Sequence, residues 1–399
     1  MIFPHKICDP IHGFIRFESI EGKVIDSLPF QRLRYLHQMG VVYLLYPGAT
    51  HCRFQHSLGV MEVATRIFDT ITNPQNLFLE GVIPREKLPY YRRILRLAAL
   101  CHDLGHLPFS HTAEEDLLPI SGHEEKTLLV IRSASMRKIW REIPDYDPQK
   151  IEEDIIKFAV GEKFGLQLST FEKVLSQVIT EDNFGADRID YLLRDAYFTG
   201  VGYGHFDYRQ LIDTLRIIRD NDRLAIGIIE GGIQSVESLW MARYLMYARV
   251  YHHSKARIYT KHMMRFMKNY YSKRGFPATI VGYLQESDYT LLHEMQKAFD
   301  NEDASALFKR TPCYKEVMFE KDPGPYLQDL ERTFEGKIFV DKIPESSSKR
   351  DFAVISQSGK VISSFAASKF LSDIPIGGGK PLRIYADPSI HNKVKDYLS

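Results

Sequence analysis

Apolar residues recur through much of this chain at the spacing of amphipathic helices. One apolar face is formed by Ile94, Leu97, Ala98 and Cys101. These residues follow the i, i+3, i+4, i+7 rule, and a second face of the same kind is formed by Val60, Ala64, Ile67 and Phe68. The segment 151–175 alternates charged and apolar residues at helical spacing. The pattern continues from about residue 15 to 275 and predicts a mainly α-helical domain.

The pattern changes after Pro277, where short runs typical of β-strands appear. These runs are Lys337–Val340, Phe352–Ile355, Lys360–Ser364 and Leu382–Tyr385. They are interrupted by a polar loop at 346–350 and by three glycines at 377–379. We therefore predict a helical core over residues 1–275 and a smaller C-terminal α+β region over 276–399, which packs on the core and aids oligomerisation.

Composition places the chain among ordinary globular proteins. It has 399 residues, of which 44% are hydrophobic and 26% are charged, enough for two domains with a large core. The N-terminus lacks the pattern of a secretory signal, and no apolar run approaches a bilayer-spanning length. We expect a cytoplasmic protein without membrane contact. The formal net charge of +1 and the lack of an extended basic, aromatic stretch argue against a dedicated nucleic-acid surface.

Polar residues interrupt the apolar pattern at the end of the helix predicted before Gly105. His102 and Asp103 are adjacent there, and ligand-type residues of the same kind occur at His56 and Asp187. Two imidazoles and two carboxylates suit a divalent ion, with Mg or Mn favoured and Fe, Co, Ni or Zn as alternatives. The other interpretation of any single histidine is a hydrogen-bonded core residue.

Histidines are concentrated immediately after this pair. His102, His106, His111 and His123 fall within 22 residues of a chain that has 15 histidines in all, and Glu124 follows the last of them. His106 and His111 flank a loop that contains proline, where a side chain can act as a general acid or base near neutral pH. Alternatively, these histidines cap helices or bind backbone carbonyls.

A further polar face is predicted on the helix around residues 183 to 195. It consists of Asp187, Asp190, Tyr191 and Asp195, which span an arc of about 140°. An acidic face is often only a solvated one, but the nearby His-Asp pair favours a cavity lining. Arg188, Arg194 and Arg53 could balance the charge of a polyphosphate there.

Several motifs in order give the chain a specific resemblance. They are Asp9-Pro10-Ile11-His12-Gly13, Phe30-Gln31-Arg32-Leu33-Arg34-Tyr35, Pro47-Gly48-Ala49-Thr50-His51, Arg53-Phe54-Gln55-His56-Ser57 and Cys101-His102-Asp103-Leu104-Gly105-His106. Over about residues 6 to 255 the chain resembles the HD-domain deoxynucleoside triphosphate triphosphohydrolases, including the catalytic core of the eukaryotic member that carries a SAM domain. It resembles a bacterial-type member that lacks that domain.

The resemblance implies hydrolysis of a dNTP to deoxynucleoside and triphosphate. It implies that His56, His102, Asp103 and Asp187 hold the metal ion. His111 would be the general acid, and His106 and His123 would stabilise developing charge; we place Glu124 with them among the candidate catalytic residues.

The resemblance also implies a set of substrate contacts. The triphosphate would be bound by Arg53, Arg188 and Arg243, the sugar by Tyr191 and Asp195, and the base by Gln38, Tyr251 and His252. Three positions depart from the eukaryotic relative: Glu114 replaces an aspartate, Met39 a leucine and Ser254 a lysine. Met39 bears on strict selection of deoxyribose, because the leucine packs against the sugar.

Regulation by a second nucleotide is a further implication. Asp26, Gln31 and Arg34 match residues that bind a guanine nucleotide at a subunit interface in the eukaryotic relative. If this site functions, the protein is a dimer or tetramer activated by GTP or dGTP. The alternative is that Asp26 caps a helix and Arg34 makes an ordinary ion pair.

Two other functions compete with the dNTPase hypothesis. One is an HD phosphohydrolase acting on a nucleoside monophosphate, a cyclic nucleotide or a modified nucleotide. The other is a nucleotide-sensing or nucleic-acid-binding module with a vestigial HD site, which would bind nucleotide without metal-dependent turnover.

Overall fold

The structure is a computed structural model that describes residues 5–75, 83–110, 114–118, 122–180, 183–220, 223–319, 324–342, 351–375 and 382–398. Helices dominate these ranges. They are α1 (Ser19–Ile25), α2 (Leu28–Arg32), α3 (Arg53–Ile71), α4 (Leu88–Cys101), α5 (Glu114–Leu117), α6 (Gly122–Ile131), α7 (Ala134–Trp140), α8 (Pro148–Val160), α9 (Thr170–Thr180), α10 (Ala186–Thr199), α11 (Tyr208–Thr214), α12 (Ile233–Met246), α13 (Ser254–Arg274), α14 (Ile280–Gln285), α15 (Asp288–Lys297), α16 (Glu302–Phe308), α17 (Leu327–Thr333), α18 (Ser364–Ala367), α19 (Lys369–Asp373) and α20 (His391–Tyr397). A π-helical turn, Tyr247–Tyr251, connects α12 towards α13.

The strands form three small sheets. They are β1 (His5–Asp9), β2 (Gly13–Phe17), β3 (Leu215–Asp220), β4 (Arg223–Ile229), β5 (Lys315–Val317), β6 (Ile338–Lys342), β7 (Ala353–Ile355), β8 (Val361–Ser363) and β9 (Leu382–Ala386). The sheet orders are β1-β2, β3-β4-β7-β8 and β5-β9-β6. β4 pairs in parallel with β7, in the register Ile228 to Val354, and the other pairs are antiparallel.

The predicted fold class is confirmed: a helical core carries a C-terminal α+β region. All four predicted C-terminal strand runs correspond to strands, β6 to β9. The polar loop at 346–350 and the glycines at 377–379 lie outside the described residues. The hairpins β1-β2 and β3-β4 were not predicted within the helical part. The division near residue 276 stays a prediction, and the β4-β7 pairing shows that the C-terminal region shares a sheet with the core.

Helix α3 lies at the centre of the helical core. It packs against α4 on one side and α10 on another, and α4 packs in turn against α8. Apolar residues such as Leu58, Val60 and Ala64 are almost completely buried, and so is the polar residue His56. Because burial of a polar side chain is costly without a partner, α3 must find such partners on its neighbours.

No helix among the described residues combines the length and the apolar character needed to cross a bilayer.

Helices α3 and α10 approach so closely that Gly59 cannot carry a side chain. A Cβ atom at Gly59 would lie 1.8 Å from Asp190 Oδ1 and 2.5 Å from an Arg194 guanidinium nitrogen. We expect Gly59→Ala to lower the free energy of unfolding by about 2 kcal/mol, since both neighbours are buried and ion-paired. Thermal or urea unfolding measures the change.

The matched control is Gly231→Ala, because nothing lies within 4 Å of a Cβ atom there. Equal stability of the two variants would contradict the close approach of α3 and α10.

Candidate metal centre and active site

His56 enters the site from α3 and is oriented by a buried carboxylate. Its Nδ1 lies 2.8 Å from Asp190 Oδ2, on α10. Asp190 also binds His12 Nε2 at 2.7 Å and two nitrogens of Arg194 at 2.8 and 2.9 Å. Because a carboxylate oxygen accepts, Nδ1 of His56 donates, and its Nε2 is directed to the opposite side.

His102 is oriented in the same way by a backbone carbonyl. It is the residue that follows α4, where its Nδ1 donates to Ala99 O at 2.8 Å. Within the described part of the chain, His102 Nε2 is buried without a hydrogen-bond partner. The sequence prediction that the His102-Asp103 pair points into the protein from a helix end is therefore confirmed.

The four predicted metal ligands converge. His56 Nε2 lies 3.0 Å from Asp187 Oδ1 and 3.6 Å from Asp103 Oδ2. His102 Nε2 lies 3.2 Å from Asp103 Oδ1 and 3.8 Å from Asp187 Oδ1. Asp187 is the most open of the four, with 39% of its side chain exposed, while the other three are buried.

This arrangement fits a divalent cation. Both imidazoles use Nδ1 for protein contacts and direct Nε2 at carboxylate oxygens. A lone pair on Nε2 and a carboxylate oxygen repel each other unless a positive charge lies between the two atoms. The pKa of His56 reflects the same carboxylates. Burial opposes the charged form of His56, but Asp187 and Asp190 outweigh burial and raise the His56 pKa to about 10. Burial is likewise outweighed at Asp187, where His102 and His56 hold the carboxyl pKa below its usual value. Two imidazoles and two carboxylates make a donor set for Mg, Mn or a later transition ion.

A second cluster lies beside the first and shares Asp103. His106 Nε2 is 3.2 Å from Asp103 Oδ1, and the His106 and His123 rings stack at 3.7 Å between centroids. Glu114 binds Nδ1 of both rings, at 2.9 and 3.1 Å. Burial lowers the pKa of His106 to about 4, with Arg53 and His123 acting in the same direction. The glutamate that replaces an aspartate of the eukaryotic relative thus holds two histidines.

Other predicted catalytic residues have different surroundings. Glu124 contacts Lys163, and its nearer oxygen is 3.9 Å from His123 Nδ1, so it lies at the margin of the cluster. His111, the predicted general acid, lies outside the described residues. Arg53 is buried and donates to Asp103 Oδ2 at 2.5 Å and to Ser110 Oγ at 3.0 Å.

The predicted sugar contacts meet on the other part of α10. Tyr251 donates its hydroxyl to Asp195 Oδ2 at 2.7 Å, and His51 Nε2 lies 2.7 Å from Asp195 Oδ1. The rings of Tyr191 and Tyr251 are in edge contact at 6.3 Å. Burial raises the pKa of the Tyr191 phenol, and the charges of Arg188 and Arg243 oppose that shift.

The remaining predicted substrate residues line the same region. In the described residues, Gln38 Oε1 is buried without a hydrogen-bond partner, and the backbone of Gln38 pairs with His51. His252 contacts the Tyr247 ring, and its carbonyl accepts from Arg383 of β9. Arg243 lies over the Tyr247 ring at 5.6 Å.

The three predicted regulatory residues occupy one stretch of surface. Gln31 accepts from Arg34 Nε at 2.8 Å, and the Arg34 guanidinium lies over the Phe54 ring at 3.5 Å. Asp26 is exposed and ends α1. The Arg34 side chain therefore contacts the Gln31 amide and the Phe54 ring. Its nucleotide-binding role stays a prediction.

One expectation from the sequence was wrong. Arg194 does not face a cavity as a phosphate ligand: it is fully buried and pairs with Asp190 and with Asp9. The orienting roles of Asp190, His12 and His51 were not predicted. His12 and His51 stand in motifs that carry the resemblance, but nothing in their spacing indicates which carboxylate each one contacts.

Two family models and a solved structure match this chain. Residues 53–226 match the HD domain family, and residues 206–324 match the HD associated region. A crystal structure of a hypothetical protein from Aquifex aeolicus has a TM-score of 0.80 and 32% sequence identity, and covers 99% of this chain and 100% of its own.

Sequence relatives extend the comparison. Uncharacterized protein MJ1154 of Methanocaldococcus jannaschii is 30% identical over 353 residues, which is 85% of this chain and 69% of that protein. Deoxynucleoside triphosphate triphosphohydrolase SAMHD1 of Bos taurus is 30% identical over 275 residues, which is 63% of this chain and 45% of SAMHD1. This chain therefore belongs to the HD-domain phosphohydrolase family, and its relatives at about 30% identity include SAMHD1. It is a metal-dependent phosphohydrolase.

The metal site can be tested without measuring turnover. We expect Asp187→Asn to weaken Mn²⁺ binding at least about tenfold, because it removes a charged ligand oxygen. Because Asp187 also pairs with His56 and His102, thermal unfolding of the metal-free variant is measured alongside, to separate the loss of a ligand from a loss of stability. Calorimetric titration and metal analysis of the purified protein measure the binding.

Asp213→Asn is the control, because Asp213 is an exposed aspartate on α11, away from these ligands. Equal Mn²⁺ affinity of both variants would exclude Asp187 as a ligand.

Proposed function

We propose that this protein is a metal-dependent dNTP triphosphohydrolase, which converts dNTP and water to deoxynucleoside and triphosphate. One observation carries the proposal. The metal-ligand cluster at Asp187 and the contacts of Asp195 with His51 and Tyr251 lie on the same helix, α10. Eight residues of helix separate them by about 12 Å, a distance that a bound nucleotide can bridge between its phosphate and its sugar.

Each part of the site has a role in this reaction. His56, His102, Asp103 and Asp187 would hold a divalent ion, which would supply Lewis-acid activation of the α-phosphate and of water. The water oxygen bonds to the α-phosphorus, the bond to the 5′-oxygen breaks, and a proton passes to that oxygen. His111 keeps its predicted role as the donor of this proton. His106 and His123, held together by Glu114, would face the reacting phosphate.

Substrate recognition follows from the other contacts. Asp195 has both carboxylate oxygens engaged by His51 and Tyr251, which fixes it to accept a further hydrogen bond from the 3′-hydroxyl. Arg188 and Arg243, close to Tyr191, would bind the triphosphate, with Gln38 and His252 near the base. The metal in the cell would be Mg or Mn. The name of SAMHD1 as a deoxynucleoside triphosphate triphosphohydrolase supports this assignment.

The proposal includes regulation. GTP or dGTP would bind at Asp26, Gln31 and Arg34 and activate a homo-oligomer. Supporting this, Gln31 and Arg34 are already in contact with each other on the surface.

A second candidate is hydrolysis of a nucleoside monophosphate or a modified nucleotide. The observation that favours it is the engagement of two predicted phosphate ligands within the protein: Arg53 with Asp103, and Arg194 with Asp190 and Asp9. Fewer cations then remain for a triphosphate.

The deciding experiment is an assay of the full chain with each dNTP and Mg²⁺ or Mn²⁺, with and without dGTP or GTP. We expect deoxynucleoside and intact triphosphate, and a larger oligomer with higher activity when the guanine nucleotide is present. Chromatography resolves the products, and light scattering gives the mass. Release of pyrophosphate or phosphate, or cleavage of monophosphates alone, would reject the triphosphohydrolase.

Substitution of Arg243 distinguishes the two candidate functions better than substitution of Arg53, because Arg53 also pairs with the predicted metal ligand Asp103. Arg243→Ala should lower kcat/KM for dNTP at least about tenfold, since a charge-assisted phosphate contact is lost. Cleavage of a nucleoside monophosphate should change much less. Arg209→Ala, an exposed arginine on α11, is the control. Equal losses for both substrates would argue against triphosphate binding by Arg243.

A further inference from the structure

The loop that follows the metal ligands has an unfavourable backbone conformation. Phe109 and Ser110 have φ angles of 55° and 59°, in the left-handed region that non-glycine residues rarely adopt. Neither residue is glycine, and both are buried. The surrounding protein must therefore hold this turn in place.

The contacts that hold it come from a segment far along the chain, Tyr283–Asp288. Asp288 Oδ1 accepts from the Phe109 backbone N–H at 2.6 Å, and the Tyr283 hydroxyl donates to Gly105 O at 2.5 Å. Arg32 joins the two segments, because it donates to His106 O at 3.0 Å and to Glu286 O at 2.8 Å. Loop 105–110 is thus bound along its length.

Asp288 also binds the opposite wall of the site. Its Oδ2 lies 2.7 Å from the His37 backbone nitrogen and 2.6 Å from His37 Nδ1. The His37 carbonyl in turn accepts from Ser110 Oγ at 2.8 Å. Asp288 is fully buried, and these donors and the N-terminus of α15 compensate its charge.

A continuous path connects this contact to the metal site. Arg53 donates to Ser110 Oγ at 3.0 Å and to the metal ligand Asp103 at 2.5 Å. A shift of the turn at Phe109 and Ser110 would therefore move Arg53 and change the surroundings of Asp103. It would also move the end of the loop, after which His111 follows directly in sequence.

We propose that the segment Tyr283–Asp288 is a positioning clamp for the active-site loop 105–110, with Asp288 as its principal positioning residue. Asp288 acts through Phe109, Ser110 and His37 and does not touch the substrate. The inference rests on the proposed function only in that the HD site must catalyse phosphoester hydrolysis.

The principal test uses Asp288→Asn in the full chain. Asparagine keeps one acceptor oxygen but presents an NH₂ group to either the Phe109 or the His37 N–H, so one arm of the clamp is lost. We expect kcat to fall about tenfold or more with KM changed less than about twofold, because misplacement of a reacting group affects the chemical step. Glu294→Gln, which removes one partly exposed charge from the same helix, is the control and should keep full activity.

A double-mutant cycle distinguishes positioning from general stability. Ser110→Gly makes the left-handed turn easier to adopt and removes the Ser110 hydroxyl from the path. If Asp288 acts through this turn, the loss in kcat from Asp288→Asn should be smaller in the Ser110→Gly background. Equal losses in both backgrounds would overturn the proposal.

Hydrogen exchange gives a readout that does not depend on substrate. Amide exchange in a peptide covering 104–110 should rise about tenfold in Asp288→Asn, while exchange in α8 stays unchanged. Tyr283→Phe, which removes one hydroxyl from the clamp, should raise exchange in the same peptide and covers the case in which Asp288→Asn does not fold. Unchanged exchange in the loop, or a uniform rise across the protein, would reject the clamp. If the wild type cleaves a different phosphoester, the proposed function fails and the kinetic test runs on that substrate.

Discussion

The arrangement of the site depends on the buried carboxylate of Asp190. It accepts hydrogen bonds from His56, His12 and Arg194 and makes no contact with solvent. Burying such a charge is costly unless every lone pair finds a donor, and removing one partner of a buried pair typically costs about 3–5 kcal/mol. The same carboxylate fixes the ring of His56, so stability of the core and orientation of a metal ligand share one group. Gly59 is required because α3 and α10 approach closely enough to make these bonds.

Asp103 is a second buried carboxylate that contacts several groups of the site. One of its oxygens faces His102 and His106, and the other binds Arg53. Burial would raise the carboxyl pKa of Asp103, but His102, Arg53 and a hydrogen bond from His106 outweigh it and hold the pKa well below its usual value. Asp103 is therefore an anion shared by the metal-ligand cluster, the histidine cluster and the loop that follows. A displacement of the metal-ligand cluster, the histidine cluster or the loop therefore changes the electrostatic field at the other two.

The sequence was sufficient to predict that His56, His102, Asp103 and Asp187 come together, but not how they are held. Helical periodicity placed His102 and Asp103 at a helix end because a 3.6-residue pattern determines a face, and the C-terminal strands were visible as short apolar runs. The hairpin β3-β4 was missed because its apolar residues lie within a long helical context. Arg194 was misassigned for a different reason. A helical wheel shows which side chains share a face but not whether that face meets solvent or a partner, and Asp9, its partner, is 185 residues away.

Residues outside the HD domain match also contact the site. The match to the HD domain begins at residue 53 and ends at 226, and it contains all four predicted metal ligands. Yet His12, which binds Asp190, precedes it, and Asp288, which binds the loop at Phe109, follows it. The ligands are thus encoded within the HD domain, whereas the hydrogen bonds that fix their geometry cross both of its ends. The functional unit is consequently larger than the HD domain, because the geometry of a metal site is set by the groups that orient its ligands as much as by the ligands themselves.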